Sequence, residues 1–304
     1  MERKSEHSKY FTWLTETGGV WHYVFYFVIA TTFLAMTIAG FLYFRGPSTE
    51  NTGRSQRKKE LEREALRLRL GMTLAPEDAS GYLELGEIYH DLGETEKAIQ
   101  EFQTALRFDE RNAQAYNSLG LVYIDIQLVD EAIEAFHQAI EIEPDNSTFY
   151  NNLGYAYDGE DEFEGAIDAY QEAIELDAEF QDAYYNLASA YHKRDLFQDA
   201  IQYYQKAIEL DENDADAHSN LGEVYQETGQ FDLAIKAYQK ALSIDSSDPL
   251  IYYRLAQAYQ KKGDRLTMQR YLDRFVESAA NLPQFQDEIK NAEQMKRGED
   301  ANSD

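Results

Sequence analysis

Apolar and polar positions between residues 79 and 282 repeat with a period of 34. With Ala79 as position 1, position 4 is Tyr82, Tyr116, Tyr150, Tyr184, His218 and Tyr252, and position 7 is leucine in all six units, from Leu85 to Leu255. Position 8 is small (Gly86, Gly120, Gly154, Ala188, Gly222, Ala256), and position 11 is tyrosine from Tyr89 to Tyr259. Alanine holds position 20 (Ala98, Ala132, Ala166, Ala200, Ala234) and position 27 (Ala105, Ala139, Ala173, Ala207, Ala241). Aromatics stand between them at position 24 (Phe102, Phe136, Tyr170, Tyr204, Tyr238). The last unit departs, with Met268, Leu272 and Phe275 at these three positions, so its second helix is the least well specified. Spacings of three and four residues within each half-unit predict two amphipathic helices per unit.

A single helix pair cannot bury its apolar face, so such units stack on their neighbours into a solenoid with a long concave surface. Small residues at positions 8, 20 and 27 allow close helix approach, and the aromatics fill the space between units. The tyrosines therefore read as packing groups rather than a ligand box.

Six units in one register resemble the tetratricopeptide-repeat family, over residues 79–282 and without an insertion. Two departures stand out: position 4 is mostly tyrosine rather than Trp or Leu, and the proline of position 32 survives only as Pro144. The resemblance implies an all-α, right-handed superhelical solenoid of six helix-turn-helix repeats. It also implies a groove lined by positions 2, 5, 6, 9, 12 and 13 of each first helix. The peptide-binding candidates at those positions are Asn117, Asn151 and Tyr185 (position 5), Asn152, Asn186 and Asn220 (position 6), and Tyr155 and Glu223 (position 9). An asparagine amide offers a donor and an acceptor, matching one peptide unit. A row of them is similar to the asparagine ladder of the O-linked N-acetylglucosamine transferase repeats, and would hold an extended backbone with little regard to its sequence. The carboxylate clamp of chaperone-binding members needs groove Lys and Arg, which units two and three lack.

The flanks add an anchor and two ends. Residues 1–19 are polar, and residues 20–44 contain no Lys, Arg, Asp or Glu. An apolar stretch of about 20 residues is long enough to span a bilayer as a helix. Trp13, Trp21 and Tyr23 on one side and Tyr43 and Phe44 on the other suit the two interfaces. A cleaved signal peptide processed near Ala39 is the competing reading, although its apolar region would exceed the usual ~7–15 residues. The excess of Lys and Arg after the span predicts a single-pass protein of the inner or plasma membrane with its repeats on the cytoplasmic side. Residues 45–78 divide into a linker over 46–56 and a basic helix over 57–70 with Leu61, Ala65 and Leu68 on one face. Counted backwards, the repeat register places Leu68, Gly71 and Pro76 at positions 24, 27 and 32, so this helix is expected to cover the first full unit. Its cations would alternatively rest on anionic lipid headgroups. Residues 283–304 are expected to form a capping helix, with Phe285, Ile289, Ala292 and Met295 inward, and a disordered tail.

Net charge is −28, unevenly spread: residues 1–75 hold 11 basic and 7 acidic side chains, and no Lys or Arg lies between Arg111 and Lys193. Such a field repels nucleic acid and steers a basic partner. There is no cysteine, hence no disulfide or thiolate chemistry. None of the six histidines shares metal-ligand spacing with another, and Asp211 and Asn213 start like a calcium loop but lack its glycine and terminal glutamate. No catalytic constellation, cofactor site or metal site is expected, and the chain is read as no enzyme. The function expected is a membrane-anchored scaffold, tethered through residues 20–44, that binds an extended protein segment and supports assembly of a membrane-associated complex. The segment is basic if the acidic surface selects it. The alternative is a permanent accessory subunit with no free-peptide ligand.

Overall fold

The computed structural model describes residues 49–75 and 77–297. It holds fourteen α-helices and one short 3-10 turn, with no strand among the described residues. The chain divides into two units within the first helix, residues 1–66 and 67–304. Of the former, only the helical stretch from Thr49 is described.

Helix α1 runs Thr49–Met72. The linker expected over 46–56 is therefore helical from Thr49 onward. Once a run of strong formers such as Lys58–Glu64 has supplied the nucleus, each further residue adds a hydrogen bond at little cost, and no proline lies between Pro47 and Pro76 to stop it. Among the described residues no helix is long and apolar enough to cross a membrane. The span assigned to residues 20–44, the polar segment 1–19 and the tail 298–304 lie outside the described residues.

The six units then follow in register. Their first helices are α2 (Ala79–Asp91), α4 (Ala113–Asp125), α6 (Ser147–Gly159), α8 (Gln181–Lys193), α10 (Ala215–Glu227) and α12 (Pro249–Lys261). Their second helices are α3 (Thr95–Phe108), α5 (Val129–Ile142), α7 (Phe163–Leu176), α9 (Phe197–Leu210), α11 (Phe231–Ile244) and α13 (Arg265–Ala279). The tight turn between the two helices puts position 15 in the left-handed region every time. Gly93, Gly229 and Gly263 do so without penalty, whereas Gln127, Asp161 and Asp195 adopt φ of 58–62°.

Junctions between units are built by aspartates rather than by the missing prolines. Asp109, Asp177, Asp211 and Asp245, all at position 31, accept a hydrogen bond from the backbone N–H two residues on, at 2.8–3.1 Å. This Asx turn ends the second helix and redirects the chain. Three residues further, Asn112, Asn146, Asp214 and Asp248 cap the next first helix through their side-chain oxygens. Asp211 and Asn213 thus belong to a turn.

Inside each unit the ring at position 24 lies on the residue at position 8. A Cβ on Gly86, Gly120, Gly154 or Gly222 would meet Phe102, Phe136, Tyr170 or Tyr238 at 2.5–2.7 Å. These rings are fully buried, and burial pushes the phenols of Tyr170, Tyr204 and Tyr238 well up from their ordinary range. The divergent sixth unit keeps its second helix because Met268, Leu272 and Phe275 occupy the same inward positions and are buried.

Successive first helices touch one another directly (α2–α4, α4–α6, α6–α8, α8–α10, α10–α12), whereas second helices pack on the first helices beside them. First helices therefore line the inner face of the array and second helices its outer face. At the near end Arg69 Nη1 donates to Tyr89 at 3.4 Å. Gln171, Gln205 and Gln239 contact Tyr191, Tyr225 and Tyr259 in the same register, so the end of α1 stands where the second helix of a preceding unit would. At the far end the 3-10 turn Pro283–Phe285 leads into α14 (Gln286–Arg297). Phe285, Ile289, Ala292 and Met295 pack on Tyr253, Met268, Leu272 and Phe275.

Candidate functional site

The inner face is set by helix periodicity. Positions 4, 7, 8 and 11 turn into the core, which leaves positions 2, 5, 6, 9, 12 and 13 on the side where first helices meet. All eight candidates sit on these helices, but the structure divides them into two groups.

All six asparagine and tyrosine candidates at positions 5 and 6 pair into rungs between neighbouring units. Asn152 Nδ2 donates to Asn117 Oδ1 at 2.8 Å, Asn186 Nδ2 to Asn151 Oδ1 at 3.0 Å, and Asn220 Nδ2 to Tyr185 Oη at 2.8 Å. Arg254 continues the series by donating to Ser219 Oγ at 3.0 Å. Position 6 of one unit thus reaches position 5 of the unit before it, four times in succession. Asn117 is 3% exposed and Asn151 9%, so their side chains lie mostly out of a ligand's reach. Burial pushes the Tyr185 phenol up despite the amide that bonds it. Asn152, Asn186 and Asn220 stay half-buried with one amide proton already committed, which leaves each fewer groups to offer a peptide.

Tyr155 is different. It is 54% exposed on the inner face. Glu223, the remaining candidate, is ion-paired to Arg254 Nη2 at 2.8 Å.

A second set of contacts runs along positions 12 and 13. His90 donates to Asp125 at 2.6 Å, Lys193 to Asp158 at 2.5 Å, and His192 to Glu227 at 2.8 Å. The other carboxylate oxygen of Asp158 is buried with no hydrogen-bond partner. Sequence reasoning missed these partners. Their trace is a spacing of 35 rather than 34, one unit plus one residue, which brings position 12 beside position 13 of the following unit.

Charge on the inner face is polarised. Units one to three present Glu84, Glu87, Asp91, Asp125 and Asp158 there and no Lys or Arg, while Lys193, Arg254 and Lys261 appear only from unit four onward. Burial pushes the Glu87 carboxyl up, with Glu84 and Asp91 adding repulsion. An acid-lined strip with a free aromatic ring suits a basic, extended chain, whose ammonium and guanidinium groups relieve that repulsion. Among the described residues no cluster of His, Asp and Glu is arranged to hold a metal ion.

A family model described as the cilia and flagella-associated protein 70 C-terminal domain, a tetratricopeptide domain, matches residues 48–302. No curated protein matches the chain. Among solved structures, MamA is 31% identical over 53% of this chain and 95% of its own, with a TM-score of 0.50. PilW, described as a type IV pilus biogenesis factor, is 20% identical over 70% of this chain and 97% of its own, at a TM-score of 0.63. YrrB, described as a repeat protein with an unusual peptide-binding site, is 23% identical over 60% and 95%, at 0.50. The last two likenesses concern the fold alone.

Proposed function

The chain belongs to the tetratricopeptide-repeat family of the cilia and flagella-associated protein 70 C-terminal domain, and from that membership we propose that the inner face of its first three units captures an extended, basic protein segment. It is a repeat scaffold for protein–protein interaction. The observation that carries the finer reading is the acid-lined inner face of units one to three, with Tyr155 standing exposed in it. Contacts from a ring and several carboxylates contribute individually about 0.5–1.5 kcal/mol, so selectivity comes from their number. The rungs of asparagine keep successive units at fixed separation, and the ligand reads the side chains between them.

The apolar run 20–44 and the basic residues after it support a tether in the inner or plasma membrane with the repeats on the cytoplasmic side. A tethered scaffold of this kind brings basic segments of its partners to the membrane and serves the assembly of a membrane-associated complex. The test is crosslinked capture by the full chain in membranes, wild type against Glu84→Gln, Glu87→Gln, Asp91→Asn, Tyr155→Ala combined. All four positions are exposed, so the variant should melt as wild type does. Loss of a captured partner, with capture also weakened by salt, supports the groove. A partner that copurifies equally with both proteins, and only as a stable complex, shows a permanent accessory subunit instead.

A further inference from the structure

The outer face carries a second charge pattern, unrelated to the inner strip. Positions 22 and 26 lie one turn apart on each second helix and face outward from unit two onward, whereas Thr104 of unit one is buried, so together they draw a two-residue-wide column along units two to six. In units five and six that column is Lys236, Lys240, Arg270 and Arg274, all exposed. In units two and three the same positions are Glu134, Gln138, Asp168 and Glu172. Unit four, between them, has Gln202 and Lys206, the latter paired with Glu209 at 3.1 Å.

The four cations are only weakly compensated: Lys236 lies within electrostatic reach of Asp232, one turn before it. Among the described residues none of them closes an ion pair or a side-chain hydrogen bond. The carboxylates on the same two helices are held by others: Asp232 by Lys262 and Asp273 by Lys296. Glu277, about one turn beyond Arg274, is the remaining acid on that helix. Arg270 and Arg274 also edge a groove of about 760 Å³ between α11 and α13, whose walls include Leu242, Tyr252 and Tyr271. Unit six alone has six Lys or Arg against three acids, whereas units two and three together have none.

We propose that the outer face of units five and six docks on the outer face of units two and three of a second copy of this chain. Charge complementarity selects this occupant. Both columns are drawn on the same 34-residue unit, so the cations and the carboxylates share one spacing, four residues along a helix and one unit across. A foreign acidic protein would have to reproduce that spacing by chance. The groove beside the charges, lined by tyrosines but also by Asp273 and Glu277, adds mixed contact area, and a contact made of exposed ions is weakened by salt.

The test uses two variants of the full chain, kept in detergent because of residues 20–44, and measures binding of an immobilised copy to a free one. One variant neutralises the basic column (Lys236→Gln, Lys240→Gln, Arg270→Gln, Arg274→Gln), and the other the acidic column (Glu134→Gln, Asp168→Asn, Glu172→Gln). Wild type binds wild type, and the affinity falls roughly tenfold or more between low and high salt. Each variant loses binding to itself by a similar factor, because each lacks one half of the contact. Mixing the two variants restores binding, since one keeps the cations and the other the carboxylates. Absence of wild-type self-association at protein concentrations up to about 100 µM overturns the proposal. So does self-association that both variants retain, or a mixed pair that stays apart. Wild type that stays single yet binds phosphatidylserine vesicles through the four cations assigns the face to lipid, and overturns it equally.

Discussion

At the residue scale, the array is tight at a few positions where a local neighbour limits size or charge. Gly120 is one: an added Cβ would lie 2.6 Å from the ring of Phe136, which is fully buried and has nowhere to retreat. Overpacking of this kind costs about 1–3 kcal/mol, against a helix-propensity gain from alanine of at most about 1. Gly120→Ala is therefore expected to lower the urea midpoint, and an unchanged or higher midpoint would show that the ring tilts freely. His218 is another. It stands where five units have tyrosine, buried, with Lys240, Asp214 and the Glu212 carbonyl around it, and burial pushes its pKa below the ordinary histidine value. The folded state then binds fewer protons than the unfolded one, so stability falls as pH drops through about 6.5, the unfolded value. His218→Tyr should flatten the fall in melting temperature between pH 7.5 and 5.5. The aspartates held low by backbone N–H groups, Asp245 and Asp264, act in a separate window below about pH 4.

At the scale of elements, the asparagine rungs change what a familiar substitution would report. Asn152→Ala deletes a donor and strands Asn117 Oδ1, an acceptor on a residue 3% exposed. An unpaired buried acceptor costs about 1–3 kcal/mol, so the variant should be destabilised by that order in denaturant titration. The double variant with Asn117→Ala removes both partners, and the two single losses should not add. If Asn152→Ala unfolds as wild type does, the rung contributes nothing and the amide is free for ligand after all. Helix boundaries here were legible from the chain because a 34-residue period with glycine, leucine, tyrosine and alanine at fixed places leaves little freedom in where each helix starts. The direction of the asparagines was not legible. Positions 5 and 6 both belong to the inner face, and whether an amide turns outward or across to its neighbour depends on how closely first helices approach, which residue spacing does not encode. Tyr155 was legible as a groove residue, while its isolation from the rungs emerged only from the packed units. The Asx turns that stand in for proline were likewise visible as residues at position 31, but their hydrogen bonds were not.

At the scale of the repeat array, stability is a sum of units and the contacts between neighbours, so the ends decide where unfolding starts. The near end is covered by the close of α1, where Arg69 bonds Tyr89 and Met72 lies against Gly81. The far end has only α14. Without it, Phe275, Met268 and Tyr253 lose the cover of Phe285, Ile289, Ala292 and Met295. Uncovering several apolar side chains at about 25 cal/mol per Å² is expected to cost a few kcal/mol, borne first by the unit that exposes them. Removing residues 283–304 should therefore speed amide exchange across 249–279 by orders of magnitude while 113–210 exchanges as before. Faster exchange spread evenly over all six units would mean that the array opens as one cooperative body. In that case a ligand bound at units one to three would protect unit six as well. If exchange is faster only at the far end, the cap has a second consequence. Arg270 and Arg274 lie on the helix it steadies, so its loss would weaken their part of the outer-face contact and leave the inner strip of units one to three as it was.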